Sequence, residues 1–195
     1  MIIYSTLLAF GDSLTFGSRD EDGQSYPVYL SNMIKKKYGQ LLIFENAGVT
    51  GETTTEAAKR AYRTIGTSKC DEVIFFEGIN DSKDNVRTPL EIYTFNVEYI
   101  TWIAKALEKR IYLGLTPLLK GFGLSHYSVR SNELIPQYNS IVQQIAKKHN
   151  VPLIDFREMP ADCYADGVHM NRKGYNLIAK KVLEAIEKER KFGEL

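Results

Sequence analysis

The chain has 195 residues, of which 44% are apolar and 25% charged, and its formal net charge is +1 from 25 basic and 24 acidic side chains. A chain of this length fits a single domain over residues 1–195, and it can bury a core without metal ions or disulfide bonds. The near balance of charge gives no electrostatic reason to expect a nucleic acid or a membrane surface as partner.

The cysteines and the N-terminal sequence bear on where the protein works. Cys70 and Cys163 have neither the spacing of a disulfide framework nor that of a zinc site, so unpaired thiols in a reducing compartment are expected. The N-terminal sequence lacks the pattern of a signal peptide, and no apolar run approaches the roughly 20 residues of a membrane span. A cytoplasmic location without an integral membrane segment is therefore expected, although a mature secreted chain would look the same.

Short apolar runs alternate with helical patterns along the chain. The runs are mostly continuous in Val, Ile, Leu and Phe, which is typical of strands covered on both faces. The predicted strands are residues 5–10, 41–47, 72–77, 111–116 and 151–156. The helix candidates are residues 24–38, 53–66, 89–109, 138–145 and 175–186, with Asn171 as the N-cap of the last. This alternation predicts a parallel sheet with helices on both faces.

Polar residues follow the predicted strands, at the edge where parallel sheets bind ligands. Ser13 follows the first strand, Gly48 the second and Asn80 the third, while Asp166 and His169 precede the last helix. Taken singly, each is typical of a turn, a cap or a surface position. Together they supply a hydroxyl nucleophile, a base, an acid that orients the base, and donors for an oxyanion.

The spacing of Asp166 and His169 favours a specific pairing. A D-x-x-H turn can bring the carboxylate beside the imidazole Nδ1, which leaves Nε2 to accept a serine proton. His126 and His149 have no acid close in sequence, so a structural or solvated role is expected for both. Two segments with little periodicity, residues 18–24 and 117–132, are expected to border a substrate cleft.

Four sequence blocks, FGDSLTFG, NAGVTGET, GIND and DGVHMN, resemble those of the GDSL esterase/lipase family, also called SGNH hydrolases. The four residues of the second name correspond in order to Ser13, Gly48, Asn80 and His169. The resemblance implies a flavodoxin-like three-layer α/β/α sandwich with five parallel strands in the order 2-1-3-4-5. It also implies an oxyanion hole formed by the amides of Ser13 and Gly48 and the side chain of Asn80. Asp166 completes the catalytic triad, and neither a cofactor nor a metal ion is required.

The residues and the resemblance together predict hydrolysis of carboxylic esters by a serine esterase through an acyl-enzyme. The resemblance implies a small-molecule ester as substrate, with a short-to-medium acyl group or a lysophospholipid- or thioester-like structure expected first and a carbohydrate acetylesterase as the alternative. Asp12 is predicted to support the turn through its side chain, while a direct catalytic part for it is less favoured. Nothing in the sequence indicates an oligomeric state.

Other classes fit the sequence less well. In trypsin-like proteases two glycines follow Gly-Asp-Ser, whereas Leu14 and Thr15 follow here, and Thr15 also breaks the G-x-S-x-G pattern. A non-catalytic flavodoxin-like binding module stays open, because residues 50–56 resemble a phosphate loop, although they follow the second strand rather than the first. A metal hydrolase built on Asp12, Asp166 and His169 also stays open, but it leaves the other strand-end residues without a role.

Overall fold

Strands and helices alternate through residues 3–124 and 126–193, the part of the chain that the computed structural model describes. The strands are β1 (Ile3–Gly11), β2 (Leu41–Gly48), β3 (Glu72–Phe76), β4 (Arg110–Leu115) and β5 (Leu153–Asp155). The helices are α1 (Ser13–Phe16), α2 (Tyr26–Tyr38), α3 (Thr54–Thr67), α4 (Leu90–Ala106), α5 (Val129–His149) and α6 (Arg172–Gly193). Short 3₁₀ turns lie at Asn80–Ser82 and Ala161–Cys163.

The five strands form one parallel sheet in the order β2-β1-β3-β4-β5, which confirms the predicted topology. In its register, Gly11 at the end of β1 pairs with Gly48 at the end of β2 and with Phe76 at the end of β3. These three strands therefore end at the same level. The turns that follow them, which carry most of the predicted site residues, lie together at one edge of the sheet.

Each face of the sheet has its own hydrophobic cluster, covered by helices. Successive residues of β1 alternate between the two, since side chains along a strand point to opposite faces. Leu7 belongs to the cluster under α2 and α6, whereas Leu8 belongs to the cluster under α3, α4 and α5. The three-layer α/β/α arrangement expected from the sequence is thereby confirmed.

Helix boundaries differ from the sequence expectations mainly at α5. This helix begins at Val129, so residues 129–132 of the predicted loop are helical. Ser128 caps it by accepting a hydrogen bond from the Arg130 amide at 3.2 Å, and Pro136 inside the helix obscures its periodicity. The predicted cap of α6 is present, because the Gly174 amide donates to Asn171 Oδ1 at 3.0 Å.

Candidate active site

Ser13, His169 and Asp166 form a continuous chain of hydrogen bonds at the carboxyl edge of the sheet. His169 Nε2 lies 3.1 Å from Ser13 Oγ, and His169 Nδ1 lies 2.8 Å from Asp166 Oδ2. An ionised carboxylate only accepts hydrogen bonds, so Nδ1 carries the proton and Nε2 of the neutral ring accepts from the Ser13 hydroxyl. This arrangement is suited to removing a proton from a serine nucleophile.

The Asp166 carboxylate is fixed by its own turn. Its Oδ1 accepts from the amides of Val168 at 3.1 Å and His169 at 2.7 Å. Burial alone would raise the pKa of Asp166, but hydrogen bonds from the His169 amide, the His169 ring and the Val168 amide outweigh it and lower that pKa. The carboxylate therefore stays ionised at neutral pH and holds the imidazole in one orientation.

The turn between β1 and α1 presents Ser13. The Asp12 carbonyl accepts from the Phe16 amide at 2.9 Å, and Asp12 Oδ1 accepts from the Leu14 amide at 2.8 Å. Asp12 thus caps the short helix through its side chain. Among the described residues no hydrogen bond is found to the Ser13 amide, so this donor is available to a bound ligand.

Gly48 differs from its expected role. Its amide donates to Asn46 Oδ1 at 2.9 Å, and Asn46 Nδ2 donates in turn to the Thr15 carbonyl at 3.0 Å. A Cβ on Gly48 would overlap the backbone of Phe16 and lie 2.8 Å from the carbonyl carbon of Thr15. The expectation of a free Gly48 donor is therefore corrected. This glycine lets β2 approach α1, and its N–H already has a partner.

The open amide of the same turn belongs to Gly51, which the sequence analysis missed. Gly51 has a φ of +84°, and nothing lies within 4 Å of the place a Cβ would take. No hydrogen bond to its amide is found within the described part of the chain. The next residue, Glu52, accepts from Asn80 Nδ2 through its carbonyl at 2.8 Å, so Gly51 is close to that carboxamide. The signals in the sequence were its place in the block NAGVTGET and in a turn rich in Thr.

Asn80 begins the 3₁₀ turn after β3, and three neighbours surround its carboxamide. Besides the Glu52 carbonyl, Asp12 Oδ2 lies 3.5 Å from Nδ2, and the Tyr127 hydroxyl donates to Oδ1 at 2.9 Å. Asp12 thus connects Asn80 with the turn that carries Ser13. Tyr127 belongs to the predicted cleft loop, but no sequence pattern had marked it.

Several buried carboxyl groups lie behind Ser13. Burial raises the pKa of Asp12 to about 7, and the charges of Asp81 and Glu52 add to the shift. Burial and then the Asp12 charge hold the pKa of Glu77 well above its usual value. Burial also raises the pKa of Asp81, against the hydrogen bonds that it accepts from Thr54. Burial thus favours the protonated form of each of these carboxyl groups over the charged form.

The other two histidines lie away from this relay. His149 Nε2 is 2.9 Å from Glu98 Oε1, a contact between α5 and α4. The His126 carbonyl accepts from the Asp84 amide at 2.7 Å, and its φ is +77°. Both residues therefore make structural contacts.

The loop of residues 18–24 is held together by hydrogen bonds to the Asp20 carboxylate. Asp20 Oδ2 accepts from the amides of Asp22 at 3.0 Å and Gln24 at 2.9 Å, and Oδ1 accepts from the Tyr29 hydroxyl at 2.8 Å. Asp20 is buried by these contacts. The carboxylate therefore binds groups of its own loop and of α2.

Across residues 3–124 and 126–193, no three His, Cys, Asp or Glu side chains are grouped so that they could hold a metal ion. None of the helices in these residues combines the length and the apolar character needed to cross a membrane. Cys70 and Cys163 are buried free thiols, as expected.

The sequence is similar to a family of lipases and acylhydrolases and to several bacterial proteins. The model of the GDSL-like Lipase/Acylhydrolase family matches residues 9–177. An acetylxylan esterase of Geobacillus stearothermophilus is 28% identical over 208 residues, covering 92% of this chain and 93% of the relative. The uncharacterized lipoprotein YqeF of Bacillus subtilis (strain 168) is 28% identical over 172 residues, covering 78% and 70% of the two chains. With a relative named a lipoprotein, the cytoplasmic location stays a prediction.

The fold is also shared with solved structures. The crystal structure of the lipase/acylhydrolase from Enterococcus faecalis matches with a TM-score of 0.78 at 24% sequence identity, covering 95% of this chain and 96% of that one. At 24% identity, this similarity shows only that the two proteins share a fold.

Proposed function

The chain belongs to the GDSL-like lipase/acylhydrolase family and hydrolyses carboxylic esters, and from this premise we propose that Ser13 is the nucleophile of an acyl-enzyme mechanism. The observation that carries the proposal is the unbroken relay from Ser13 Oγ through His169 to Asp166, with distances of 3.1 and 2.8 Å. Each contact has the length and the atom types that proton transfer requires.

The proposed reaction has two stages. Ser13 Oγ attacks the ester carbonyl carbon while its proton passes to His169 Nε2, and the imidazolium then gives that proton to the departing alcohol. In the second stage a water molecule loses a proton to the same nitrogen and attacks the acyl carbon. The bond between that carbon and Ser13 Oγ then breaks, the proton returns to Ser13 Oγ, and the carboxylic acid leaves. Asp166 stabilises the imidazolium in both stages through its bond to Nδ1.

We propose the Ser13 amide, the Gly51 amide and Asn80 Nδ2 as the donors for the oxyanion. The two amides have no partner among the described residues. Asn80 Nδ2 carries two hydrogens: the Glu52 carbonyl accepts one at 2.8 Å, and the other has only Asp12 Oδ2 at 3.5 Å, a weak contact that an oxyanion would replace. Three donors of this kind stabilise charge that develops only in the transition state.

The proposed substrates are esters with short-to-medium acyl groups, or lysophospholipid- or thioester-like compounds. Exposed apolar side chains on the surrounding turns support this choice. Phe16 lies in α1 after Ser13, Val49 directly follows Gly48, and Phe122 lies beside Gly121, which touches Gly167 next to Asp166. Exposed apolar side chains next to the site residues in the chain favour an apolar acyl or alkyl group over a charged one.

A carbohydrate acetylesterase is the second candidate. It is favoured by the relative named acetylxylan esterase, which aligns with 92% of this chain. A sugar ester presents hydroxyl groups around a small acetyl group, whereas the first candidate presents a longer apolar chain.

Two measurements on the purified wild-type protein and its Ser13→Ala variant test the nucleophile and the substrate class. We expect a fluorophosphonate probe to label the wild-type protein and to leave Ser13→Ala unlabelled. Kcat/KM is then measured for p-nitrophenyl esters of increasing acyl length and for acetylated xylo-oligosaccharides. Activity limited to the acetylated sugars would favour the second candidate, and normal turnover by Ser13→Ala would overturn the nucleophile.

A further inference from the structure

In the hydrogen bond between Tyr127 and Asn80, the Tyr127 hydroxyl is the donor. Asn80 Nδ2 faces the Glu52 carbonyl at 2.8 Å, and a carbonyl only accepts hydrogen bonds. This contact fixes which end of the carboxamide is nitrogen, so Oδ1 is the atom 2.9 Å from Tyr127 Oη. The phenol must therefore donate. Of the two N–H groups of the carboxamide, one is bound to the Glu52 carbonyl and the other makes only the long contact of 3.5 Å with Asp12 Oδ2.

Tyr127 is anchored to the turn that carries Asn80. On one side, the His126 carbonyl accepts from the Asp84 amide at 2.7 Å. On the other side, the Ser128 hydroxyl donates to Asp84 Oδ1 at 2.9 Å, and the Lys83 ammonium lies 5.8 Å from the centre of the Tyr127 ring. Since both chain neighbours of Tyr127 bind Asp84, the loop that carries the phenol is tied to the segment that carries the carboxamide.

The hydroxyl also keeps its proton. Tyr127 is partly buried, and burial together with the charges of Asp12, Asp166 and Asp81 raises the pKa of its phenol. The group remains a donor throughout the pH range in which a serine esterase works.

We propose that Tyr127 is a positioning residue for ester hydrolysis, whose hydroxyl orients and polarises the Asn80 carboxamide through the bond to Oδ1. A hydrogen bond donated to an amide oxygen draws electron density from the nitrogen, which makes the remaining Nδ2–H a stronger donor. The inference rests on the proposed function, because it requires Asn80 to donate to the oxyanion. Tyr127 itself acts through Asn80 and touches no reacting atom.

The variant Tyr127→Phe keeps the ring and removes only the hydroxyl. We expect kcat to fall about 3- to 10-fold, the value of one hydrogen bond, while KM and the melting temperature change little. Tyr164→Phe is the matched control. Its hydroxyl donates to the Leu118 carbonyl of the same loop at 2.8 Å and makes no contact with Asn80, so its kcat should stay at the wild-type value.

A double-mutant cycle with Asn80→Ala gives the decisive readout. If Tyr127 acts through Asn80, Tyr127→Phe has no further effect on kcat once Asn80 is alanine. An equal loss in both backgrounds, an unchanged kcat in Tyr127→Phe, or the same loss in Tyr164→Phe would overturn the inference. In each of these cases an inactive Ser13→Ala leaves the proposed function standing, whereas an active Ser13→Ala overturns the function and the inference together.

Discussion

His169 Nε2 lies 3.1 Å from Ser13 Oγ although 156 positions separate the two residues in the chain. Contacts beside the pair hold this alignment. At the start of α6, Tyr175 donates from its hydroxyl to the Ser18 carbonyl at 2.7 Å, and the Arg172 amide donates to Glu21 Oε2 at 2.8 Å. The loop after the nucleophile is thus bonded to the helix after the histidine, so the distance between them is set by packing.

Removal of the base is expected to be the most damaging change among the histidines. His169→Ala should lower kcat roughly 10²–10⁴-fold, because no other described group reaches the Ser13 hydroxyl to take its proton. His149→Ala and His126→Ala should leave kcat unchanged. The His149 ring contacts Glu98, and the contact of His126 with Asp84 comes from its backbone carbonyl, which alanine keeps. Steady-state kinetics on a p-nitrophenyl ester checks all three, and a His169→Ala protein with near-normal turnover would contradict the assignment.

The two substitutions at Asn80 separate an oxyanion donor from a turn residue. Asn80→Ala should lower kcat about 10²–10³-fold, the usual cost of one such donor, with little change in KM. Asn80→Asp should be at least as harmful, because it replaces the donor by a charge near Asp12 and the Glu52 carbonyl. Asp serves as well as Asn at a helix cap. Wild-type kcat and melting temperature in Asn80→Asp would therefore rule out the donor role.

The close approach of Gly48 to α1 predicts that a larger residue at this position lowers the stability of the protein. Gly48→Ala should destabilise the protein by about 1–3 kcal/mol or more, since its Cβ would overlap the Phe16 backbone. Gly66→Ala is the control. It lies inside α3, its nearest neighbour would be Leu107 Cδ1 at 3.7 Å, and alanine there should stabilise the helix by about 0.5–1 kcal/mol. Urea denaturation measures both, and a Gly48→Ala protein as stable as Gly66→Ala would contradict the close packing.

The raised pKa of Asp12 makes the protein less stable as the pH rises. Burial raises its pKa from 3.8 to about 7 on folding, so between these values the folded state holds a proton that the unfolded state has lost. This contribution to the free energy of unfolding is fully present below the unfolded pKa and is lost as the pH rises through the folded pKa. The loss is at most about 1.4 kcal/mol per pH unit.

Asp12→Asn isolates that contribution, because its Oδ1 can still cap α1. The stability of Asp12→Asn relative to wild type should therefore grow as the pH rises from 4 to about 7 and then level off. Denaturant titrations of both proteins at several pH values give this difference, which also contains the part of the Glu77 shift that the Asp12 charge causes. A difference that does not change with pH would show that Asp12 titrates normally.

The sequence by itself determined the layout of the fold and the place to look for chemistry. Continuous apolar runs such as 72–77 and the apolar stripe at 175–186 indicate local structure, because burial on a sheet face or along one side of a helix imposes a short period on neighbouring residues. The start of α5 was less visible, since Pro136 interrupts its pattern. The family resemblance pointed to Ser13 and His169, and their catalytic roles stay predictions.

Only the tertiary structure decided which polar groups are already paired. It showed the Gly48 amide bound to Asn46, which leaves the Gly51 amide open, and it brought the Tyr127 hydroxyl to the Asn80 carboxamide. Partners that lie far apart in the chain meet through strand register and the packing of whole loops. Such contacts follow no short period, so a hydrophobic pattern predicts where a strand ends but not which donor at that end remains free.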